Sequence, residues 1–204
     1  MFRKLILFNS VFAMVVSGLI FGQSVQSNAI RYEVDKSHTN IGFSVRHMLL
    51  AKVYGEFKDF SIDLNWDNQD PTNSSVEVRI DVASINTDNQ KRDDHLRGPD
   101  FFDAENYPEI LFKSEKIEKT DDGYVAHGKL TMRDVTRDVT LPFNVIGSIK
   151  QKNGKLRVGI EAGMTVSRME YNISWDKMLD TGGLVAGEEA EIDIQAEFIS
   201  SQAI

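Results

Sequence analysis

The fold is decided by two stretches on either side of Asn153-Gly154: Val139-Thr140-Leu141-Pro142-Phe143-Asn144-Val145 and Leu156-Arg157-Val158-Gly159-Ile160-Glu161-Ala162-Gly163-Met164-Thr165-Val166. In both stretches an apolar residue occupies every second position, so each predicts a β-strand with one apolar face and one solvent-exposed face. An Asn-Gly pair between such strands predicts a hairpin with a type I′ turn, because both central residues of that turn need positive φ.

The same alternation recurs along most of the chain after residue 30, for example at Ile41, Phe43 and Val45. We predict strands at residues 31–35, 40–47, 53–66, 75–84, 109–118, 123–132, 137–150, 155–167 and 187–199. Because no amphipathic helices separate them, they favour an antiparallel sheet that curls on itself into a barrel. The parity of the apolar positions switches near Lys58-Asp59, which predicts a bulge there.

Two segments break the strand pattern. Residues 88–106 are first polar and then aromatic, and Asp88 is placed to cap a short helix that ends at Gly98-Pro99. Such a helix would close one end of the barrel with Leu96, Phe101 and Phe102 turned inward. The second segment, residues 171–187, is expected to form a lid or a loop at the mouth.

The start of the chain has the layout of a secretory signal peptide. Arg3 and Lys4 precede an apolar run from Leu5 to Phe21, and small or polar residues follow as far as Ala29. We predict residues 1–29 as a signal peptide and residues 30–204 as one exported domain, located in the periplasm. The alternative is an uncleaved anchor, for which the run is near the lower limit of ~20 residues.

Composition narrows the partners of the exported domain. There is no cysteine, which excludes disulfides and thiolate metal sites. The formal charge is −8 and falls to −10 once Arg3 and Lys4 are removed. This balance argues against nucleic acid and against anionic membrane surfaces as partners. No later stretch is apolar enough to span a bilayer, so we expect no stable membrane insertion after cleavage.

Motifs for catalysis or metal binding are weak. The sequence has no glycine-rich phosphate loop, no zinc-protease helix and no Gly-x-Ser-x-Gly elbow. We predict no catalytic residue, no metal site and no cofactor. A metal site from His38, His47 and His95 with Asp93 or Asp94 would have to assemble from distant strands. An enzyme that uses His38, Asp93 and His95 on a small hydrophobic substrate is the alternative.

The interior of the predicted barrel leaves a further choice open. An eight-stranded barrel is wide enough either to be filled by its own side chains or to hold one small ligand. Large inward residues such as Phe112 alternate with small ones such as Gly128 and Ala196. This mixture of large and small inward residues is equally consistent with an open cavity and with a packed core. A filled barrel would suit a secreted stress-related or interaction protein.

The order of several short motifs resembles the YceI-like family over essentially all of residues 30–204. The matching residues are Tyr32-Glu33-Val34-Asp35, Ser37-His38-Thr39, Ile41-Gly42-Phe43-Ser44-Val45-Arg46-His47, Gly55, Phe57, Ser84-Ile85-Asn86-Thr87, Arg92-Asp93-Asp94-His95-Leu96, Asp100-Phe101-Phe102-Asp103, Tyr107-Pro108, Phe112-Lys113-Ser114, Gly128-Lys129-Leu130-Thr131, Val135-Thr136, Val139-Thr140-Leu141-Pro142, Arg168, Tyr171, Trp175 and Val185-Ala186-Gly187-Glu188. The chain departs from the family pattern at Asp134 and Asn172, where the family usually has glycine. We expect Asp134 to tolerate a left-handed turn.

The resemblance implies an all-β fold: an extended lipocalin-like, eight-stranded antiparallel β-barrel with a short helical insertion. It also implies a non-catalytic protein whose ligand is a long-chain isoprenoid, a quinone-like lipid or a fatty lipid. The wall that it implies consists of Phe43, Val45, Val78, Ile80, Phe101, Phe102, Phe112, Leu130, Phe143, Val158, Ile160, Met164, Tyr171 and Trp175. The polar residues that would meet the head group are His38, Arg92, His95 and Arg168. The sequence does not decide whether the protein forms a homodimer, either by pairing of strand edges or by contact between the two barrel mouths.

Overall fold

Our computed structural model describes residues 28–48, 50–175 and 185–204. These residues contain eleven β-strands and one α-helix. The elements are β1 (Ile30–Val34), β2 (Asn40–His47), β3 (Ala51–Phe57), β4 (Phe60–Trp66), β5 (Ser75–Asp81), β6 (Ile85–Asn86), α1 (Gln90–Arg97), β7 (Glu109–Thr120), β8 (Gly123–Met132), β9 (Val135–Lys150), β10 (Lys155–Ser167) and β11 (Ala186–Ala203). Short 3-10 turns lie at Lys36–His38, Pro71–Asn73, Val82–Ser84 and Arg168–Tyr171. Most of the predicted signal peptide and most of the predicted mouth loop lie outside the described residues.

The strands close into a barrel because the long strand β11 pairs with the start of the chain. Its C-terminal part pairs with β1, where Ser200 is opposite Tyr32, and its N-terminal part pairs with β2, where Ile192 is opposite Phe43. The strand order is β1-β4-β5-β7-β8-β9-β10-β11, and β2, β3 and β6 continue the positions of β1, β4 and β5 beyond short breaks. The predicted eight-stranded antiparallel barrel is therefore confirmed.

Alternation along each strand places the apolar side chains inside this barrel. In β4, Phe60, Ile62, Leu64 and Trp66 are buried and the residues between them are exposed. One end of the barrel is filled by aromatic rings, since the Trp66 ring centroid lies 5.9 Å from that of Tyr124 and 6.1 Å from that of Phe143. We call this the closed end.

The opposite end is covered by α1 and the turns that follow it. The Asn89 side chain caps the helix by accepting a hydrogen bond from the backbone N–H of Arg92. The guanidinium of Arg97 donates to the carbonyl oxygens of Ala83 and Ile85, which fixes the last turn of the helix to the segment around β6. The inward orientation predicted for Leu96, Phe101 and Phe102 agrees with this placement. Among the described residues, no helix has the length and apolarity needed to cross a bilayer.

Local turn chemistry differs from the predictions at two places. The helix cap is Asn89 and not Asp88, which instead has a positive φ of 57°. The hairpin at Asn153-Gly154 has no type I′ turn, because only Gly154 has a positive φ, of 82°. The N–H of Gly154 bonds to the carbonyl of Gln151, so the loop is a turn of residues 151–154 that ends in a left-handed glycine. The bulge predicted at Lys58-Asp59 is not present, because the predicted strand 53–66 is instead two strands, β3 and β4, with a break at these two residues.

Both departures from the family pattern lie in turns. Asp134 has a φ of 65°, so the left-handed conformation expected for it is present. Asn172 has a φ of 59° and ends the 3-10 turn Arg168–Tyr171. Asparagine and aspartate tolerate this conformation better than most residues, so neither substitution disturbs the strands on either side.

Candidate functional site

A cavity of about 410 Å³ occupies the half of the barrel that α1 covers. Its wall is made of aliphatic and aromatic side chains from β2, β3, β5 and β7 to β11, from α1 and from the adjoining loops. These side chains are Ile41, Phe43, Val45, Val53, Phe57, Val78, Ile80, Leu96, Phe101, Phe102, Ile110, Phe112, Leu130, Met132, Leu141, Met164, Val166, Ile173, Trp175, Val185, Ala186, Ala190, Ile192 and Ile194. An interior of this kind suits an apolar ligand, because nearly all of its wall lacks hydrogen-bonding groups.

Most of the predicted wall residues line this cavity. They are Phe43, Val45, Val78, Ile80, Phe101, Phe102, Phe112, Leu130, Met164 and Trp175. That these side chains contact a ligand stays a prediction.

Four predicted wall residues lie elsewhere: Phe143, Val158, Ile160 and Tyr171. Val158 and Ile160 point inward on β10, but they pair with Phe198 and Ala196 of β11, further towards the closed end than Met164. Phe143 packs on Tyr124, with ring centroids 5.3 Å apart, at the same closed end.

Tyr171 is 1% exposed and belongs to the buried core. Burial raises the pKa of its phenol, as expected for a hydroxyl that loses contact with water.

Further wall residues, which were not predicted, share the parity of the predicted ones. Ile192 and Ile194 continue the alternation of β11, and Ile41 continues that of β2. The alternation of apolar residues marks these side chains as inward. It does not show at which height along the barrel the cavity lies. Arg46 and His47 were also missed as parts of the cavity rim.

Two arginines bring positive charge to the cavity, and backbone groups fix both. The Nε of Arg92 donates to the Thr87 hydroxyl over 2.7 Å, and its Nη2 donates to the Thr87 carbonyl over 2.9 Å. Arg168 is 6% exposed. It donates to the carbonyls of Ile173 and Gly187 over 2.6 Å and 2.8 Å. The cations are thus held at set positions beside an apolar chamber.

His95 lies at the rim of the cavity beside two aromatic rings. Its ring centroid is 4.9 Å from that of Phe101 and 5.4 Å from that of Trp175, both edge to face. Its Nε2 is 3.1 Å from an Asp100 carboxylate oxygen. This places one polar ring on a surface that is otherwise aromatic.

The three residues of the enzyme alternative do not come together. Asp93 is buried and accepts hydrogen bonds from the N–H and hydroxyl of Thr87, over 2.9 Å and 2.6 Å. His95 contacts Asp100, and His38 contacts Asp35. No hydrogen bond joins any two of His38, Asp93 and His95 in the part of the chain that the structure describes. Asp93 instead fixes α1 to the chain before it.

His38 lies outside the cavity, so the prediction that it stands at the mouth is wrong. It sits in the turn between β1 and β2, where its Nδ1 is 3.1 Å from the Asp35 carboxylate. The prediction failed because the turn precedes β2, whose other end carries the rim residues Arg46 and His47.

Asp35, His38 and Glu197 bring three potential metal-ligand atoms within 4.8 Å of one another. Arg157 already occupies the space between the two carboxylates: its Nη1 donates to Asp35 over 2.8 Å and also to Glu197. The Ser37 hydroxyl, then Arg157 and then His38 hold the pKa of Asp35 well below its usual value of 3.8. This arrangement fits an ion-pair network and not a metal site, because a cation already lies between the carboxylates.

The closed eight-stranded barrel with an apolar chamber under a helical insertion defines a lipocalin-like protein. The sequence model of the YceI-like domain matches residues 32–198, so the chain belongs to the YceI-like family, and the resemblance is confirmed. The UPF0312 protein of Photorhabdus laumondii is 34% identical over 164 residues, which are 79% of this chain and 85% of that protein.

Solved structures of similar proteins have the same fold. The YceI protein of Campylobacter jejuni is 31% identical, with a TM-score of 0.67 over 82% of this chain and 96% of that one. BcnA of Burkholderia cenocepacia is 26% identical, with a TM-score of 0.69 over 81% of this chain and 99% of that one. A polyisoprenoid binding domain from Saccharophagus degradans is 12% identical, with a TM-score of 0.56 over 84% and 99%, a likeness of fold alone.

Proposed function

We propose that this protein binds and carries a long-chain isoprenoid, or a comparable amphiphilic lipid, inside its barrel. The observation that carries the proposal is the cavity of about 410 Å³ with a wall of aliphatic and aromatic side chains. Ligand sites in proteins commonly measure ~300–1,000 Å³. A barrel filled by its own side chains, the alternative that suits a pure interaction protein, does not account for this space.

The energetics favour a flexible hydrocarbon chain as the guest. Each CH₂ group removed from water contributes ~0.8 kcal/mol, so an apolar wall needs no polar specificity to bind such a chain. The phenyl rings of Phe43, Phe102 and Phe112 add broad, rigid surface to the wall. The polyisoprenoid binding domain from Saccharophagus degradans, which shares this fold, makes an isoprenoid the first ligand to test.

The head group of the lipid would meet Arg92, His95 and Arg168. All three touch the cavity, and the first and last are cations held by backbone carbonyls. A polar or anionic head group would therefore find donors at fixed positions while its chain enters the apolar wall. No step of this binding requires a covalent change in the lipid, and the polar side chains Asp93 and Thr87 are engaged with each other.

The proposed location is the periplasm. It is supported by the basic, apolar and small-residue sequence order of residues 1–29. Sequencing the N-terminus of protein recovered from the periplasmic fraction tests it, and Ile30 is the expected first residue. Recovery of the uncut chain in the cytoplasmic fraction would contradict it.

Binding is tested by mass spectrometry of an organic extract of the purified, exported protein. On the order of one prenyl-type or other long-chain lipid per chain is expected. A Val78→Trp variant should retain less lipid, since Val78 lines the cavity and the larger ring occupies it. Val78→Ile is the control that keeps most of the space. The proposal fails if extracts are repeatedly empty and the stripped protein takes up no polyprenol from detergent.

A further inference from the structure

The tip of the hairpin between β2 and β3 exposes apolar side chains to solvent. Leu50 is 84% exposed and Met48 is 37% exposed. Single exposed apolar residues are common on soluble proteins, but this pair stands at one particular place. The tip is held in shape by a hydrogen bond from the N–H of Leu50 to the carbonyl of His47, over 3.0 Å.

The tip is continuous with the rim of the cavity. Arg46 and His47, which directly precede it in β2, are both exposed and both line the cavity. The N–H of Met48 bonds over 3.0 Å to the carbonyl of Val185, another lining residue. A surface that contacts Leu50 and Met48 therefore lies against the place where the cavity meets solvent.

Charges of both signs lie beside the tip: Arg46 is on β2, and Glu188, Glu189 and Glu191 are on β11, the strand that pairs with β2. Lys52 pairs with Glu191, and the positive charge of Arg46 also helps to lower the pKa of that carboxyl. Residues 30–204 carry a formal charge of −10, so an anionic surface would repel most faces of the barrel. Contact with a bilayer would therefore be made by the apolar side chains of the tip, with Arg46 as a cation next to them.

We propose that this hairpin tip docks the barrel onto a phospholipid bilayer, with its cavity facing the lipids. Leu50 and Met48 enter the apolar part of the interface, and Arg46 lies beside them at the level of the lipid phosphates. Small apolar insertions next to cations give weak, reversible binding of this kind. The inference rests on the proposed lipid-carrying function and adds to it the surface through which the lipid enters and leaves.

Another exposed aliphatic side chain provides a matched control. Ile149 is 68% exposed near the C-terminal end of β9, at the closed end of the barrel. It resembles Leu50 in size and exposure but is far from the cavity rim. A general affinity of exposed aliphatic residues for membranes would act at both positions, whereas docking by the tip acts only at Leu50.

The first test locates the contact. Because the protein has no cysteine, Leu50→Cys and Ile149→Cys each provide a single site for an environment-sensitive dye. On addition of vesicles of phosphatidylethanolamine and phosphatidylglycerol, we expect a blue shift of the emission at position 50 and none at position 149. Equal shifts at both positions, or none at position 50, would overturn the docking surface.

The second test separates docking from binding in the cavity. Loading with a dansyl-labelled polyprenol is followed from the same vesicles and, separately, from detergent. Leu50→Asp should slow loading from vesicles about tenfold, the effect of losing one buried leucine side chain, and leave loading from detergent unchanged. Ile149→Asp should load like the parent protein from both.

The outcomes distinguish the two proposals. If Leu50→Asp loads from vesicles as fast as the parent protein, the docking surface is wrong and the lipid-carrying function stands. If the parent protein loads from neither vesicles nor detergent, the function itself is wrong. Reduced loading of Leu50→Asp from detergent as well would show that the substitution damages the cavity, and would also count against docking.

Discussion

The ring of Phe43 in β2 covers Gly55, the residue directly opposite it in β3, and fills the space that a side chain there would need. A Cβ atom at residue 55 would lie 2.3 Å from Cζ of Phe43 and 2.8 Å from Cγ2 of Thr87. Since Phe43 also lines the cavity, the lack of a side chain at Gly55 sets the position of one part of its wall.

Gly55→Ala should therefore destabilise the protein and alter the cavity together. Placing even a methyl group against a packed ring forces the ring from its position, and overpacking of this kind costs about 1–3 kcal/mol. The free energy of unfolding from urea titration measures the first effect. The amount of lipid that co-purifies with the variant measures the second.

Gly147→Ala is the control for this substitution. Gly147 lies in β9, and a Cβ atom there would meet no atom within 4 Å. We expect little change in either stability or lipid content. Equal losses from the two variants would mean that the general properties of glycine, and not the Phe43 ring, explain the effect.

The buried carboxylate of Asp93 should contribute more to stability than its neighbour Asp94 on the same helix. Asp93 accepts two hydrogen bonds from Thr87, whereas Asp94 contacts Gln90 and Arg97 at the surface. Asp93→Ala leaves the buried donors of Thr87 without an acceptor, which costs about 1–3 kcal/mol. Asp94→Ala should cost less than about 1 kcal/mol.

Urea denaturation of both variants provides the comparison, and hydrogen exchange of the α1 amides adds a local measure. We expect faster exchange in α1 for Asp93→Ala and little change for Asp94→Ala. A larger loss of stability for Asp94→Ala would show that the surface contacts, and not the bonds to Thr87, hold the helix in place.

The alternation of apolar residues was sufficient to predict the barrel and the direction of most side chains. The alternation could not predict how far along the barrel axis the cavity lies, because all inward residues of one strand have the same parity. On β9, Leu141 lines the cavity and Phe143, the next inward residue, packs at the closed end. The height of the cavity depends on how rings from different strands meet, which a single strand does not encode.

Turns and long-range polar contacts were predicted less well. Asp88 and Asn89 are both good helix caps, and their order in the chain does not decide which of them bonds to the helix. His38 contacts Asp35, which is three residues before it in the chain. Asp35 also accepts a hydrogen bond from Arg157, which is 122 residues away from it in the sequence. Such contacts follow from strand order in the closed barrel, which local sequence does not determine.

Phe143 and Phe112 should respond differently when shortened, because they belong to the two halves of the barrel. Phe143→Ala leaves a hole beside Trp66 and Tyr124 at the closed end and should cost about 3–5 kcal/mol. It should leave lipid binding in place, provided that the variant is studied well below its unfolding midpoint. Phe112→Ala removes part of the cavity wall and should reduce lipid retention as well as stability.

The measurements are the unfolding midpoint in urea and the lipid recovered per folded chain. If Phe143→Ala loses as much bound lipid as Phe112→Ala while still folded, the closed end also contacts the ligand. The division of the barrel into a packed half and a binding half would then be wrong.

Stability should fall in acid partly because of Asp35. Hydrogen bonds from Ser37, Arg157 and His38 hold the pKa of this carboxyl below its usual value of 3.8. As the pH falls through the usual value, the unfolded chain binds a proton at Asp35 and the folded protein does not, so the unfolded state gains stability. The contribution of Asp35 is therefore fully present above about pH 5 and is lost progressively below it.

Asp35→Asn should make the free energy of unfolding less dependent on pH between about pH 5 and about pH 3, since residue 35 then binds no proton in either state. Part of the dependence remains, because N–H groups of Asp70 and Gln69 also lower the pKa of Asp67. Ser37→Ala, which removes the largest single cause of the Asp35 shift, should give an intermediate slope. Urea titrations at several pH values across this range measure the slope of the unfolding free energy against pH. If the slope for Asp35→Asn equals that of the parent protein, the Asp35–Arg157 network does not couple folding to pH.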